Sequence, residues 1–172
     1  MNSDLDNFIG LSSALTGIPC ERLAPAIDPM GLPRIFLEFI TPRVTPEVLD
    51  TLLTQYARMA AERRPAGQIA QAVLMNGSRP AVTRPAQAAR SIMKLWLLGV
   101  WYQPYAAGLH QPTDSTVVSD QAYIQSWAWK IAQARPRDYR EVTLGRWDLP
   151  SAHRPSRAGL VPRDPEPGLG QR

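Results

Sequence analysis

Cysteine and histidine are scarce in this sequence, and their scarcity narrows its chemistry. The single cysteine, Cys20, excludes an internal disulfide and any multi-cysteine cluster within the chain. It sits in GIPCERL, just before a short helical stretch where a thiol pKa can fall, but no histidine lies near it in sequence. We read it as a buried or idle thiol, with an intermolecular bond left open. The two histidines, His110 and His153, fall in loops with no partner at ligand spacing, which weighs against a metal site. Long apolar runs are missing as well: the longest, LWLLGVWY from Leu95 to Tyr102, is far short of the ~20 residues of a membrane helix and adjoins Lys94. No glycine-rich phosphate loop, dinucleotide fingerprint, haem-attachment CxxCH or nucleophile elbow occurs. The carboxylates Asp114, Asp120, Glu141 and Asp148 are scattered, and no pair stands out as an acid/base couple. The opening MNSDLDNFIG is acidic and polar, so it reads as neither a secretory nor a twin-arginine leader.

What the chain does have is apolar material and punctuation. With 172 residues, 44% of them hydrophobic, it can build one domain with a real core. Its charge of +4 comes from 19 Lys+Arg against 15 Asp+Glu, mostly arginine, with no basic block or basic helix stripe. A nucleic-acid role therefore starts weak. Seventeen prolines and eleven glycines cut the chain into short segments whose apolar residues fall at helical spacing. The expected fold is all-α: an irregular helical bundle over residues 1–150 with a central apolar helix at about 85–102. Residues 151–172, rich in Pro, Gly and Arg, read as a flexible or partner-ordered C-terminal arm.

The pattern predicts a helix over about Leu5 to Leu15, stopped by Gly17 in a left-handed cap, and a second over Leu32 to Ile40, ended by Thr41-Pro42. Thr45-Pro46-Glu47 is a start signal, with a hydroxyl to cap, a proline and an acid at the positive end. The helix it begins carries Val48, Leu49, Leu52, Leu53 and Tyr56 and reaches about Arg63. Another runs from Ala66 to Met75 and closes at Asn76-Gly77. From Pro85 to Tyr102 apolar residues cover almost the whole circumference, as in a helix buried on several sides, and Gly99 lets a neighbour approach closely. Gln103 to Thr116 is a loop, after which Ser119-Asp120 caps a last helix.

That last helix, YIQSWAWKIAQARP, carries two tryptophans roughly 200° apart. Stepping ~100° per residue from Tyr123 puts Ile124, Trp127, Ala128, Ile131 and Ala134 into one arc, the expected core face. Trp129 falls opposite, among Gln125, Ser126 and Gln133. It lies either beneath a loop or the tail, or beneath a partner protein, where tryptophan is favoured. Residues from Arg137 to Pro150 contain Tyr139 and Trp147 in a stretch too irregular for its own core, so they must lean on something.

Four segments, FIGLSSALTG, LWLLGVWY, VVSDQAYIQSWAWKIAQARP and GRWDLP, occur in order over about residues 7 to 150. They resemble the small-subunit family of bacterial membrane-bound, FAD-dependent sugar and polyol dehydrogenases, which is similar to the gamma subunit of the FAD glucose dehydrogenase. The resemblance falls on Phe8, Leu11, Ser12, Thr16 and Gly17, then Trp96, Gly99 and Tyr102, then Tyr123, Trp129, Pro136, Gly145, Trp147 and Pro150. It implies a non-catalytic accessory subunit that helps a large flavoprotein fold, acquire cofactor or leave the cell. FAD, and any iron-sulfur cluster, would belong to that large subunit and haem c to a multihaem cytochrome c passing electrons to quinone. It also implies a place on the periplasmic face of the inner membrane, reached only through the complex.

Combined with the unused aromatic surface, it makes Tyr102, Tyr123, Trp129, Tyr139 and Trp147 the candidate partner interface, with no catalytic, cofactor-binding or metal residue assigned. The family's usual His-Pro is Arg135-Pro136 here, the glycine expected soon after is replaced by Arg137-Asp138, and the usual twin-arginine leader is not seen, which leaves a cytoplasmic location open. The competing readings are an independent enzyme, and a helical adaptor or nucleic-acid binder using the Arg-rich tail.

Overall fold

A computed structural model describes residues 3–28, 30–112 and 114–132. Contacts divide the chain into Met1–Arg137 and Asp138–Arg172, and every described residue belongs to the first unit. The expected boundary at residue 150, the C-terminal arm and the side chains of Tyr139 and Trp147 lie outside the described residues.

Helices dominate what is described. Helix α1 (Ser3–Thr16) has Asp4 and Asp6 at its positive end and buries Phe8, Leu11 and Leu15 on one side. Gly17, at φ +72°, closes it by donating to the Ser13 carbonyl at 2.9 Å. A single turn, α2 (Cys20–Leu23), buries Leu23. Cys20 is exposed, so it is not a buried thiol. Helix α3 (Leu32–Ile40) buries Phe36 and Ile40 and α4 (Pro46–Ala61) buries Val48, Leu52, Leu53 and Met59. Thr45 precedes α4 in the extended conformation, but its hydroxyl does not cap it; the Thr45 carbonyl accepts from Val48 and Leu49 instead. Here Pro46, with φ preset for a helix and no amide to satisfy, starts the turn without help.

Helix α5 (Ala66–Leu74) runs into a two-residue strand, β1 (Met75–Asn76), paired antiparallel with β2 (Arg79–Pro80). Arg90 holds this hairpin to the body, its Nη2 donating to the carbonyls of Leu74 at 2.8 Å and Ala81 at 2.7 Å.

Helix α6 (Arg84–Leu98) begins at Thr83, whose hydroxyl accepts from the Ala86 amide. Three alanines, Ala86, Ala88 and Ala89, are buried beside Ile92, Leu95 and Trp96. Small residues on several sides let α1, α4 and α5 all pack on α6, which shares the centre with α1, itself packed on α2, α3, α4, α5 and α6. Its end differs from expectation. Gly99 adopts φ +68° and the chain leaves as strand β3 (Val100–Tyr102), antiparallel to β4 (Ser115–Val117) with Trp101 opposite Thr116. A left-handed glycine stops the helix, and a β-branched residue followed by two aromatics suits the strand. Nor is α6 covered all round, because Lys94 and Leu98 face outward.

The loop between β3 and β4 is organised by Gln103, which is nearly inaccessible. Its Oε1 accepts from Trp101 Nε1, and its Nε2 donates to the Arg43 and Tyr105 carbonyls, all at 2.8 Å.

The final helix is two pieces rather than one: α7 (Asp120–Ile124), capped by the Ser119 hydroxyl, and α8 (Trp127–Ala132). At Ser126 the amide bonds back only three residues, to Tyr123, so the turn tightens and the helical phase is lost before Trp127. One helical wheel therefore cannot describe both pieces. Ile124 and Ile131, expected in the core arc, are 45% and 69% exposed, while Ser126, expected outside, is buried and Ala122 becomes the core contact.

Candidate interaction surface

Gly99 positions this region. A Cβ there would come within 2.6 Å of Tyr123 Cα and 2.8 Å of the Ala122 carbonyl oxygen, so the start of α7 rests directly on the end of α6. The close approach expected at Gly99 is thus supplied by α7. From that seat Tyr123 reaches Trp129 on α8, edge to face, with ring centroids 5.5 Å apart and planes at 77°. Burial pushes the Tyr123 phenol pKa up. Trp129 is half-buried, and its Nε1 has no acceptor among the described residues. Trp127 packs against the main core, with Lys130 Nζ 4.7 Å from its ring.

Tyr102, at the end of β3, is 39% exposed, and Lys94 Nζ lies 5.1 Å from its ring centroid. Its carbonyl accepts from Ser91 Oγ at 2.6 Å, which ties the strand to the central helix. The structure thus brings Tyr123 and Trp129 together and places Tyr102 on the strand that follows the glycine seat. Tyr139 and Trp147 are outside the described residues. Leu98, Tyr102, Ile124 and Ile131, all exposed apolar side chains, lie on elements joined by packing of α6 with β3 and α8, and of β4 with β3 and α7.

The other described positions of the resemblance serve the fold. Phe8 lies 6.4 Å from the Trp96 ring, and Phe36, outside the quoted segments, meets Trp96 edge-on at 4.7 Å. Ser12 is fully buried, with the Thr16 hydroxyl donating to its carbonyl at 2.7 Å. Thr16 Oγ1 in turn accepts from the Ile18 amide at 3.2 Å, fixing the chain just past Gly17.

Sequence reasoning missed a cleft of about 220 Å³ bounded by α2, the loop before α3, α3, α6, α7 and α8. Leu23, Phe36, Trp96 and Trp127 form its apolar lining, with Arg22 and Lys130 among its polar residues. These residues are far apart in sequence and share no motif. Among the described residues no group of three or more His, Cys, Asp or Glu is placed to hold a metal, and no helix is long and apolar enough to cross a membrane.

The class defined by this fold is a mostly helical protein with two small hairpins and a partly uncovered aromatic and aliphatic surface over its last described helices. No family model, curated protein or solved structure matches the chain.

Proposed function

We propose that this chain is a non-catalytic accessory subunit that packs on a large partner protein, and that the partner is the flavoprotein of a membrane-bound FAD-dependent sugar or polyol dehydrogenase. The observation that carries the docking role is the Tyr123–Trp129 pair on two short helices flanked by exposed Ile124 and Ile131. A half-buried tryptophan beside exposed aliphatic side chains suits an interface, where it gains apolar cover. The identity of the partner rests on the ordered resemblance of the four segments.

In this reading the chain supplies no cofactor chemistry. FAD, with any iron-sulfur cluster, sits in the large subunit, haem c in a multihaem cytochrome, and the membrane is reached on its periplasmic face through the complex. The test is coexpression with the large-subunit gene beside it, followed by size exclusion with a flavin absorbance trace. Coelution with bound flavin supports the proposal. Separate elution, with the large subunit equally flavin-loaded in the absence of this chain, refutes it.

A further inference from the structure

We propose that the cleft beside Trp96 accepts one large apolar side chain from an acidic segment of a partner protein. Its size is the first argument. At about 220 Å³ it is smaller than the ~300–1,000 Å³ usual for small-molecule and cofactor sites, but suited to a single anchoring side chain of the kind that dominates interfaces. Leu23, Phe36, Trp96 and Trp127 offer that side chain aliphatic and aromatic walls.

Charge is the second argument. Arg22 and Lys130, from α2 and α8, both line the cleft, and neither forms an ion pair among the described residues. The one lining carboxylate, Asp28, has its Oδ1 engaged by the amides of Met30 at 3.1 Å and Gly31 at 2.8 Å, where it organises the turn into α3. Two cations without an ion pair, Lys130 lying over the Trp127 ring, against one carboxylate already accepting two bonds favour an anionic neighbour around the apolar anchor.

This inference rests on the accessory-subunit reading only for which protein supplies the segment. The probe is the blocked pentapeptide Asp-Glu-Leu-Glu-Asp, titrated into the full ¹⁵N-labelled chain while the indole N–H signals of its five tryptophans are followed. Two control peptides replace its leucine by glycine or its acids by lysine. Expected are saturable shifts confined to the Trp96 and Trp127 indoles, with binding at least about fivefold weaker for either control and about tenfold weaker in Arg22→Glu/Lys130→Glu. Both substituted residues are exposed, so the variant keeps its core.

Equal shifts from the glycine peptide would remove the apolar anchor and overturn the proposal, as would the absence of any shift at about 1 mM peptide. Absent shifts alongside retained copurification with the large subunit would overturn the cleft alone. Peptide binding without copurification would support the cleft and refute the flavoprotein assignment.

Discussion

Replacing Gly99 by alanine puts a methyl group where the chain of α7 already lies. Two costs add. The residue sits at φ +68°, ψ +12°, and a side chain in that left-handed region costs about 1–2 kcal/mol. The new Cβ would also lie 2.6 Å from Tyr123 Cα, 2.8 Å from the Ala122 oxygen and 2.9 Å from the Tyr123 nitrogen. All three are backbone atoms, so no rotamer change relieves the overlap; α7 must move as a unit, at about 1–3 kcal/mol for forced repacking.

The sum is about 2–5 kcal/mol, a large part of the ~5–15 kcal/mol that holds an ordinary domain together. Gly17→Ala is the control, since Gly17 has φ +72° but no atom within 4 Å of its Cβ position, and it incurs the conformational cost alone. Urea unfolding followed by far-ultraviolet circular dichroism measures both. Gly99→Ala should lower the midpoint clearly more than Gly17→Ala, and it should weaken the Tyr123–Trp129 contact seen by near-ultraviolet dichroism. If the two variants agree within about 0.5 kcal/mol, the contact of α7 on Gly99 does not carry the load assigned to it.

Four further outcomes are expected. Gln103→Leu strands the Trp101 N–H and the Arg43 and Tyr105 carbonyls in a nearly inaccessible place, and should cost about 3 kcal/mol or more in urea unfolding. Trp127→Ala, at a half-buried side chain packed on the core, should cost about 1.5–2.5 kcal/mol, roughly half the value for a fully buried aromatic. Trp129→Ala should lose about 0.5–1.5 kcal/mol with the Tyr123 pairing while reducing coelution with the large subunit more than Trp127→Ala does; equal loss of complex would argue against Trp129 as the docking residue. Burial raises the phenol pKa of Tyr56, Tyr105 and Tyr123 above the ordinary 10.0, so the folded state holds these protons more tightly than the unfolded chain. Their contribution is fully present below about pH 10 and is lost as pH rises through the elevated folded values, a decline that Tyr105→Phe should make shallower in thermal melts.

Local signals in the chain were enough for most helices. Gly17 takes the left-handed conformation that ends a helix, Pro46 starts α4, and Ser119 caps α7. These depend on a residue and its immediate neighbours, which sequence displays directly. Gly99 is instructive because its close approach to another element was legible while its role as a helix end was not: the apolar run LWLLGVWY has the same composition whether or not it changes from helix to strand midway.

The Thr45 hydroxyl and the last helix misled for related reasons. A capping residue type does not oblige its side chain to cap, and a helical wheel assumes an unbroken phase that Ser126 interrupts. Once phase is lost, Ile124 and Ile131 turn outward, Ser126 turns in, and the reading of Trp127 against Trp129 becomes a matter of packing rather than angle.

By itself, then, the sequence determined a mostly helical chain and its principal stops and starts, because propensity, capping and hydrophobic period are short-range. Tertiary structure alone decided that Tyr123 meets Trp129, and that Arg22 and Lys130 share a cleft with Trp96. Residues over one hundred positions apart in the chain become neighbours only when α6 gathers the other helices around its alanines, and no local pattern encodes that meeting.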